Sequence, residues 1–307
     1  MNAMDFLIKN REGRKLIAWQ DSLPEPTNPP VLICGGFSRR MSTLSALACY
    51  LLKNGANVYR FDYLDHVGLS EGEILDFTIA SMEKSLESVL PWVSALEGET
   101  KINLLAISLG AVPAVFQAVK NPNIAALGCL VGVVHARSTF ERVFGTDYYS
   151  WEFDRLPDTI VFEGHKLNPR GLWQENLKTG VADFPAMKDA LSKLSVPVMN
   201  LVASEDQWLT LEEVNEAFSV PGGGGREIVD LPYGGHELAR NPLALRLAMK
   251  HMIAGFFYDG DISRVSDPSF EEIADFRVAD RNRSRGKELH LFDLSRNEKE
   301  SFAFGKS

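Results

Sequence analysis

The stretch NLLAISLGAVPAV, residues 103–115, decides how this chain folds. It begins as a continuous apolar run, contains one hydroxyl at Ser108, and continues with small and aliphatic residues that suit a helix. Continuous apolar runs are typical of strands that are buried on both faces of a parallel sheet. The stretch therefore predicts a buried strand that turns directly into a helix, with Ser108 at the turn.

The same pattern recurs along the chain. Helical patterns separate short apolar runs, and this alternation is typical of a parallel sheet covered by helices on both faces. The sequence thus predicts the α/β class, with a doubly wound, mostly parallel sheet. The predicted strands are residues 29–37, 57–64, 101–107, 126–134, 196–203 and 225–232, and the clearest helices are residues 42–55, 78–96 and 112–121.

Two segments fall outside this alternation. Residues 137–190 are rich in aromatic residues and show no clear strand, and an insertion of this kind is a common place for a cap over a ligand site. Residues 266–307 are charged and weakly periodic, which predicts a surface tail that is partly disordered. Residues 1–136 and 191–265 are then expected to form the core of the protein.

Composition narrows the class of function. The chain has 307 residues and a net charge of −9, and this acidic balance excludes nucleic acid as the main partner because phosphate binding needs a basic surface. Cys34, Cys49 and Cys129 are widely spaced and form no CxxC pair, so we expect buried thiols rather than disulfides or a zinc site. No apolar run has the length of a membrane span or of a signal-peptide core, and we expect a cytoplasmic protein.

Ser108 fits the turn known as a nucleophile elbow. In this turn the residues two before and two after the serine must be small, because the helix packs back against the strand. Ala106 and Gly110 occupy these positions, so AISLG matches the pattern G-x-S-x-G with alanine in first place. A helix N-cap is the alternative interpretation, because serine caps well at a strand-to-helix junction. The pentapeptide alone does not separate the two interpretations.

Residues later in the chain favour the elbow. An acid and then a histidine follow the serine in proteins that use this turn. Asp206 lies just after a predicted strand, in NLVASEDQW, and His236 lies in a glycine-flanked loop after the last predicted strand, in LPYGGHEL. With Ser108 they form a candidate triad, in which histidine takes the serine proton and aspartate orients the histidine. Glu205 is the competing acid, and Asp206 is preferred for its position in the loop.

A serine that transfers acyl groups also needs donors for the oxyanion of the tetrahedral intermediate. The backbone N–H that follows the serine, at Leu109, is one expected donor. The second is expected from the N–H of Phe37, in the loop after the strand VLICGGF, where Gly35 and Gly36 let the backbone turn close to the site. An ordinary turn at a strand end explains the two glycines equally well.

Polar residues near this loop have more than one interpretation. Arg39 and Arg40 follow the loop directly, where they can receive a phosphate-bearing or acidic partner or form surface ion pairs. His66 lies in another loop after a strand and is expected to make structural hydrogen bonds. Asp62, in the same loop, precedes the serine and is therefore excluded as the triad acid. No cluster has metal-ligand spacing, so neither a metal nor a cofactor is predicted.

With these residues assigned, the chain resembles a known family. It is similar to the acyltransferase component of the bacterial bioluminescence fatty-acid reductase system, which belongs to the α/β-hydrolase superfamily. The resemblance covers residues 15–270 and rests on stretches such as GGFSRRM, YRFDYLDHVGLSEG, FEGHKL, ASEDQW and GGHEL. Several of these stretches are not general hydrolase motifs, which makes the resemblance specific.

The resemblance implies an α/β-hydrolase fold with a helical cap and an acyl-enzyme on Ser108, with Asp206 as the acid and His236 as the base. It implies a thioesterase that cleaves myristoyl-acyl carrier protein or a similar medium-to-long fatty acyl thioester of carrier protein or CoA. It also implies a fatty-acid reductase complex as a partner. A carboxylesterase of the same fold is the alternative function. A binding module without catalysis is a third, which the complete triad disfavours.

Such a substrate assigns a function to the aromatic residues of the predicted cap. A solvated connection does not need so many aromatic side chains, so they predict an apolar tunnel that encloses the acyl chain. The residues concerned are Phe140, Phe144, Tyr148, Tyr149, Trp151, Phe153 and Trp173.

Overall fold

The computed structural model describes residues 1–283 and 289–295, and most of its strands belong to one sheet. The apolar runs of the sequence form the central strands. The strands of the described residues are β1 (Asn2–Lys9), β2 (Lys15–Ser22), β3 (Asn28–Cys34), β4 (Ala56–Phe61), β5 (Ile102–Ile107), β6 (Ile124–Leu130), β7 (Ile160–Phe162), β8 (His165–Leu167), β9 (Val198–Ala203), β10 (Arg226–Leu231) and β11 (His290–Asp293).

The main sheet has the strand order β10–β9–β6–β5–β3–β4–β2–β1–β11. Strand β2 runs antiparallel to its neighbours β1 and β4, and the other neighbouring pairs are parallel. The predicted mostly parallel sheet is therefore confirmed, and each of the six predicted strands is present. Strands β1, β2 and β11 were not predicted. They form the edge of the sheet that contains its antiparallel strand.

Helices cover both faces of this sheet. Successive residues of β5, Leu104 and Leu105, belong to two different apolar clusters, because neighbouring strand residues point to opposite faces. Within the described residues no helix is long and apolar enough to cross a lipid bilayer. The helices are α1 (Ser45–Lys53), α2 (Ile79–Glu97), α3 (Ala111–Lys120), α4 (Ala136–Phe144), α5 (Pro169–Thr179), α6 (Phe184–Lys193), α7 (Leu211–Phe218), α8 (Pro242–Phe257) and α9 (Phe270–Arg283).

The strand directions determine where a site can form. Strands β3, β5, β6, β9 and β10 are mutually parallel, so their carboxyl ends lie at one edge of the sheet. The loops that follow these strands meet at that edge, which is the usual position of ligand sites in open α/β sheets. The residues 35–40, Ser108, Asp206 and His236 all follow such strand ends.

The structure divides residues 137–190 into two parts. Helix α4 and an antiparallel hairpin of β7 and β8 supply residues to the cavity described below, and the hairpin was not predicted from the sequence. Helix α6 instead packs against α3 and α7, in the helical layer that covers the sheet. The segment predicted as a cap therefore contributes both to the site and to the core.

The described part of the predicted tail, residues 266–283 and 289–295, includes a helix and a strand that pack on the rest of the protein, although most side chains of the helix are exposed. Helix α9 packs against α1, and β11 adds a strand to the sheet beside β1. Asp280 and Arg283 are buried although they are charged, and this explains why an apolar pattern could not reveal the helix. The rest of the predicted tail, residues 284–288 and 296–307, lies outside the described residues.

Buried ion pairs hold α9 against the sheet. Arg60 in β4 contacts Asp21 and Asp280 at 2.6 Å each, and Arg283 contacts Asp21 at 2.7 Å and also pairs with Asp5. Burial alone would lower the pKa of the Arg60 guanidinium, but Asp21 and Asp280 raise it, so Arg60 stays charged. These charges are paired, as buried charges must be to avoid a large desolvation cost.

Neutralising Asp280 is expected to destabilise the protein. Asp280→Asn should lower the free energy of unfolding by about 3 kcal/mol, because it removes one of the two carboxylates that pair with buried Arg60. Asp275→Asn, at an exposed position of the same helix, is the matched control and should change it by about 0.5 kcal/mol or less. Denaturant unfolding measures both. Equal effects of the two substitutions would show that the buried pair does not anchor α9.

Candidate active site

Ser108 lies at a sharp turn between β5 and α3. Its φ is +51°, a left-handed conformation that non-glycine residues rarely adopt. A 3₁₀ turn, Ser108–Gly110, then leads into α3, and the serine hydroxyl makes no helix-capping hydrogen bond. This is the strained strand-to-helix turn expected of a nucleophile elbow, with the side chain directed away from the helix backbone.

Glycines allow the surrounding backbone to approach this turn. A Cβ atom at Gly110 would lie 2.5 Å from the carbonyl oxygen of Gly35 and 2.7 Å from that of Cys34. A Cβ atom at Gly36 would lie 3.0 Å from the Cβ of Ser108. The small residue at position 110 therefore lets α3 pack against the end of β3. Gly36 places the loop after β3 directly beside the serine.

The three residues of the predicted triad are brought together. Ser108 Oγ lies 2.5 Å from His236 Nε2, and His236 Nδ1 lies 2.8 Å from Asp206 Oδ2. An ionised carboxylate can only accept hydrogen bonds, so Nδ1 carries the imidazole proton and Nε2 is free to accept the serine proton. The Asp206 side chain is fully buried and that of His236 is nearly so. The arrangement can activate the hydroxyl as a nucleophile.

The environment of Asp206 distinguishes it from its neighbour. Its second oxygen, Oδ1, accepts hydrogen bonds from the N–H groups of Trp208, at 2.8 Å, and Leu209, at 3.1 Å. Glu205 is exposed, and its carboxylate makes no hydrogen bond to His236 within the described residues. The Trp208 ring also packs against the imidazole, with 4.4 Å between the ring centroids. The structure thus places Asp206, not Glu205, beside the histidine.

The two predicted oxyanion donors flank the serine. The N–H of Leu109 lies in the first turn of a 3₁₀ helix, where backbone N–H groups have no partner inside the helix. The N–H of Phe37 donates to no acceptor in the described part of the chain. Leu109 directly follows the serine, and the close approach of Gly36 to Ser108 brings the loop that carries Phe37 beside it. Both N–H groups are available to bind a negatively charged oxygen at that position.

Contacts from a second loop determine the shape of the oxyanion loop, residues 35–40. Ser38 has a φ of +56°, and its N–H donates to His66 Nε2 at 3.0 Å. Burial lowers the pKa of His66 to about 4, so the imidazole is neutral near pH 7 and Nε2 can accept this bond. The prediction that His66 makes structural hydrogen bonds is confirmed. The bond fixes the residue that directly follows Phe37.

The end of the oxyanion loop is held at Met41. Its N–H donates to Asp62 Oδ1 at 2.7 Å, and its carbonyl accepts from Arg60 Nη1 at 3.2 Å. Asp62 also accepts from the N–H of Leu69 at 2.8 Å, and burial raises the pKa of this carboxyl to about 6. These roles of Arg60 and Asp62 were not predicted from the sequence. In YRFDYLD, a charged residue lies inside an apolar strand and another lies at its end, and this pattern could have indicated buried polar contacts.

The two arginines after the loop have different environments. Arg39 Nη2 lies 2.8 Å from Glu237 and 3.9 Å from Glu163, so the ion-pair interpretation applies to it. Glu163 also accepts a hydrogen bond from the hydroxyl of Ser38, which connects the β7–β8 hairpin to the oxyanion loop. Arg40 is exposed and does not line the cavity next to Ser108.

A cavity of about 390 Å³ opens onto Ser108 and His236. Within residues 1–283 and 289–295, no group of three or more His, Cys, Asp or Glu side chains is arranged to hold a metal ion. The walls of the cavity are mostly apolar, which suits an aliphatic ligand. The apolar side chains come from the core of the protein, at Leu44, Leu47, Leu130 and Leu245, and from the α4 and β7 segments, at Phe140, Val143 and Phe162.

The predicted aromatic tunnel does not have the expected walls. Of the seven aromatic residues named for it, Phe140 lines the cavity beside Ser108. Others surround a separate void of about 20 Å³ and pack on one another, as Tyr148 does against Phe144 and Trp151. Aromatic rings that pack edge to face fill the space between them. Phe144, Tyr148 and Tyr149 therefore pack against one another, against Phe140 and against the main core of the protein rather than around the cavity.

Comparison with known proteins identifies the family. A family model described as acyl transferase matches residues 2–287. The chain belongs to this acyl transferase family. Acyl transferases from Photorhabdus luminescens and Vibrio harveyi are 32% and 31% identical to it, over 95% and 90% of this chain and 97% and 92% of their own lengths. The family resemblance inferred from the motifs is thereby confirmed.

Solved structures of low sequence identity agree on the fold. Est1E from Butyrivibrio proteoclasticus, solved with ferulic acid, superimposes with a TM-score of 0.67 at 20% identity and covers 81% of this chain and 98% of its own. The α/β hydrolase GrgF from Penicillium has a TM-score of 0.60 at 16% identity and covers 84% and 99%. The predicted α/β-hydrolase fold is confirmed. Fold and family together make the protein an enzyme of acyl transfer or ester hydrolysis.

Proposed function

We propose that this enzyme cleaves medium-to-long-chain fatty acyl thioesters of acyl carrier protein or CoA through an acyl-enzyme on Ser108. The observation that carries the proposal is the serine hydroxyl, hydrogen-bonded to the His236 imidazole at the base of a mostly apolar cavity. Such a cavity suits an acyl chain, and the hydroxyl lies where the thioester carbonyl of a bound chain would be attacked. Family membership supports acyl transfer as the reaction type.

The first half of the reaction acylates the serine. Ser108 Oγ attacks the thioester carbonyl while His236 Nε2 takes the hydroxyl proton, and Asp206 stabilises the imidazolium that forms. The N–H groups of Phe37 and Leu109 stabilise the negative oxygen of the tetrahedral intermediate. When the intermediate collapses, the C–S bond breaks and the imidazolium returns its proton to the leaving thiolate. The products of this step are the free thiol and the acyl-enzyme.

The second half transfers the acyl group from the enzyme. Water, or another hydroxyl or thiol acceptor, gives its proton to His236 and attacks the acyl-enzyme carbonyl, and the same two N–H groups hold the oxyanion. Collapse breaks the ester bond to Ser108, the imidazolium returns its proton to Ser108 Oγ, and a free fatty acid is released when water is the acceptor. We propose the cytoplasm as the compartment, because both donors are formed there, and a fatty-acid reductase as the partner that consumes the product.

We expect binding to strengthen with acyl-chain length until the cavity is full. Each buried methylene contributes about 0.8 kcal/mol, so KM should fall roughly fourfold per added carbon and then level off. The measurement is KM for CoA thioesters of increasing chain length, below the concentrations at which they form micelles. Enlarging a wall residue, as in Val143→Trp, should move the plateau to shorter chains. A KM that does not change with chain length would contradict an acyl-binding cavity.

Thioesters and oxygen esters of the same acid separate the two hydrolase functions. Myristoyl-acyl carrier protein and myristoyl-CoA are compared with p-nitrophenyl myristate, using kcat/KM. The proposal expects a preference for at least one thioester over the ester, although the ester has the better leaving group. The reverse preference would identify a carboxylesterase.

A further inference from the structure

Several charged side chains line the cavity together with its apolar walls. They are three arginines, Arg39, Arg240 and Arg277, and two glutamates, Glu163 and Glu237. With a neutral imidazole at His236, the lining carries one net positive charge in a chain whose net charge is −9. A positive cavity in an acidic protein attracts an anionic ligand locally and compensates the repulsion by the rest of the molecule.

The three arginines differ in how far their charge is compensated. Arg39 contacts both glutamates, so its charge is compensated by ion pairs within the protein. Arg240 pairs with Glu237 through Nε, but its side chain is 82% exposed. Arg277 is exposed, and its side chain has no ion pair or hydrogen bond within the described residues. The net positive charge of the lining therefore lies on Arg277, while Arg240 shares Glu237 with Arg39 and remains largely exposed to solvent.

The positions of these two arginines place them at the mouth of the cavity. Arg240 follows His236 by one short turn, and Arg277 projects from α9, which packs against α1 and the 3₁₀ turn Met41–Leu44. Both side chains line the cavity and both are exposed, so they lie on its solvent side. The buried Arg60–Asp280 pair fixes α9 one helical turn beyond Arg277. The site thus includes a residue from beyond the hydrolase core.

We propose that Arg240 and Arg277 bind the phosphate of the phosphopantetheine arm of the acyl donor. This inference rests on the proposed thioesterase function. When the thioester carbonyl lies at Ser108, the thiol-bearing arm leads out of the cavity, and its phosphate is an anion that CoA and carrier protein have in common. Guanidinium groups bind phosphate through paired, charge-assisted hydrogen bonds. The structure therefore favours these residues over Arg39 and Arg40 as contacts of the donor.

Pantetheine and 4′-phosphopantetheine thioesters, which differ by the phosphate alone, test the proposal. One acyl group is presented as the pantetheine thioester, which has no phosphate, as the 4′-phosphopantetheine thioester, as the CoA thioester and on carrier protein. In the double variant Arg240→Ala/Arg277→Ala, the ratio of KM for the phosphopantetheine thioester to KM for the pantetheine thioester should rise about tenfold, the loss of one charge-assisted contact. This rise should shrink at high salt. Arg155→Ala removes an exposed arginine outside the cavity and is the matched control.

Each other outcome has a definite meaning. An unchanged ratio, whether KM stays constant or rises equally for both substrates, would overturn the phosphate assignment. An effect on carrier protein without one on the phosphopantetheine or CoA thioester would indicate a protein contact instead, and would also overturn it. If the enzyme cleaves oxygen esters but no thioester, the proposed function fails separately. In that case the phosphate assignment is tested by comparing how strongly CoA and pantetheine inhibit ester hydrolysis. The assignment requires that CoA inhibits the wild-type enzyme more strongly than pantetheine does. It also requires that this difference disappears in the double variant.

Discussion

Ser108→Ala is expected to lower kcat by at least about 10⁴-fold on any substrate the enzyme accepts. Losses of this size follow removal of a nucleophile that acts together with a histidine and an acid. The variant should fold normally, because alanine keeps the Cβ atom and the hydroxyl contributes one bond, to His236, at a partly buried position. Its free energy of unfolding should stay within about 1 kcal/mol of wild type. The measurement is steady-state kinetics with active-site titration by a fluorophosphonate.

The positive φ of Ser108 supplies a second check. The strain of this turn is expected to remain in Ser108→Ala, whereas Ser108→Gly should relieve it and raise the free energy of unfolding by about 1 kcal/mol while still abolishing activity. Greater stability without activity would show that the turn is strained for the sake of the nucleophile's position. An alanine variant that keeps a tenth of wild-type kcat would rule out Ser108 as the nucleophile.

Asp206→Asn is expected to lower kcat by about 10⁴-fold, far more than Glu205→Gln. The structure gives the reason. Oδ1 of Asp206 accepts two backbone N–H bonds, so the oxygen of an introduced asparagine will occupy that side. Its NH₂ group then faces His236 Nδ1, where a donor stabilises the wrong imidazole tautomer. Nε2 would carry the proton and could not accept one from Ser108.

Glu205→Gln is the matched control, since it makes the same change of charge one residue away. The Glu205 side chain is exposed, so its neutralisation should leave kcat near the wild-type value. Kinetics of both variants on one substrate, with unfolding curves to show equal stability, make the comparison. Greater damage from Glu205→Gln would mean that the acid of the triad is misassigned.

The central sheet and the candidate triad could be predicted because their signals are local. Most of the six predicted strands are continuous apolar runs, as strands buried on both faces require, and each of the six is present in the sheet. Ser108, Asp206 and His236 each follow a strand end, and strand order and direction then bring three distant positions to one edge. The chain order of serine, acid and histidine admits Asp206 as the acid and excludes Asp62, which precedes Ser108.

The environment of the site depends on contacts between residues far apart in the sequence. Arg60 and Asp280 are separated by 220 positions, and nothing in the local pattern of α9 shows that its polar residues are buried. The same limit applies to Arg39, whose glutamate partners lie in two other segments. It also applies to the cap aromatics, whose composition is equally compatible with a tunnel wall and with a packed core.

The sequence by itself therefore determined the fold class, the turn that presents Ser108, and the residues that can act with it, because backbone sterics, apolar periodicity and chain order are local properties. Only the tertiary structure decided which charges pair, which side chains line the cavity, and that the C-terminal helix brings Arg277 to its mouth. These features arise from the packing of α9 against α1 and from ion pairs across the sheet edge. Such contacts depend on complementary shape and on the need to pair buried charges in the folded molecule. Neither requirement produces a periodic pattern in the sequence.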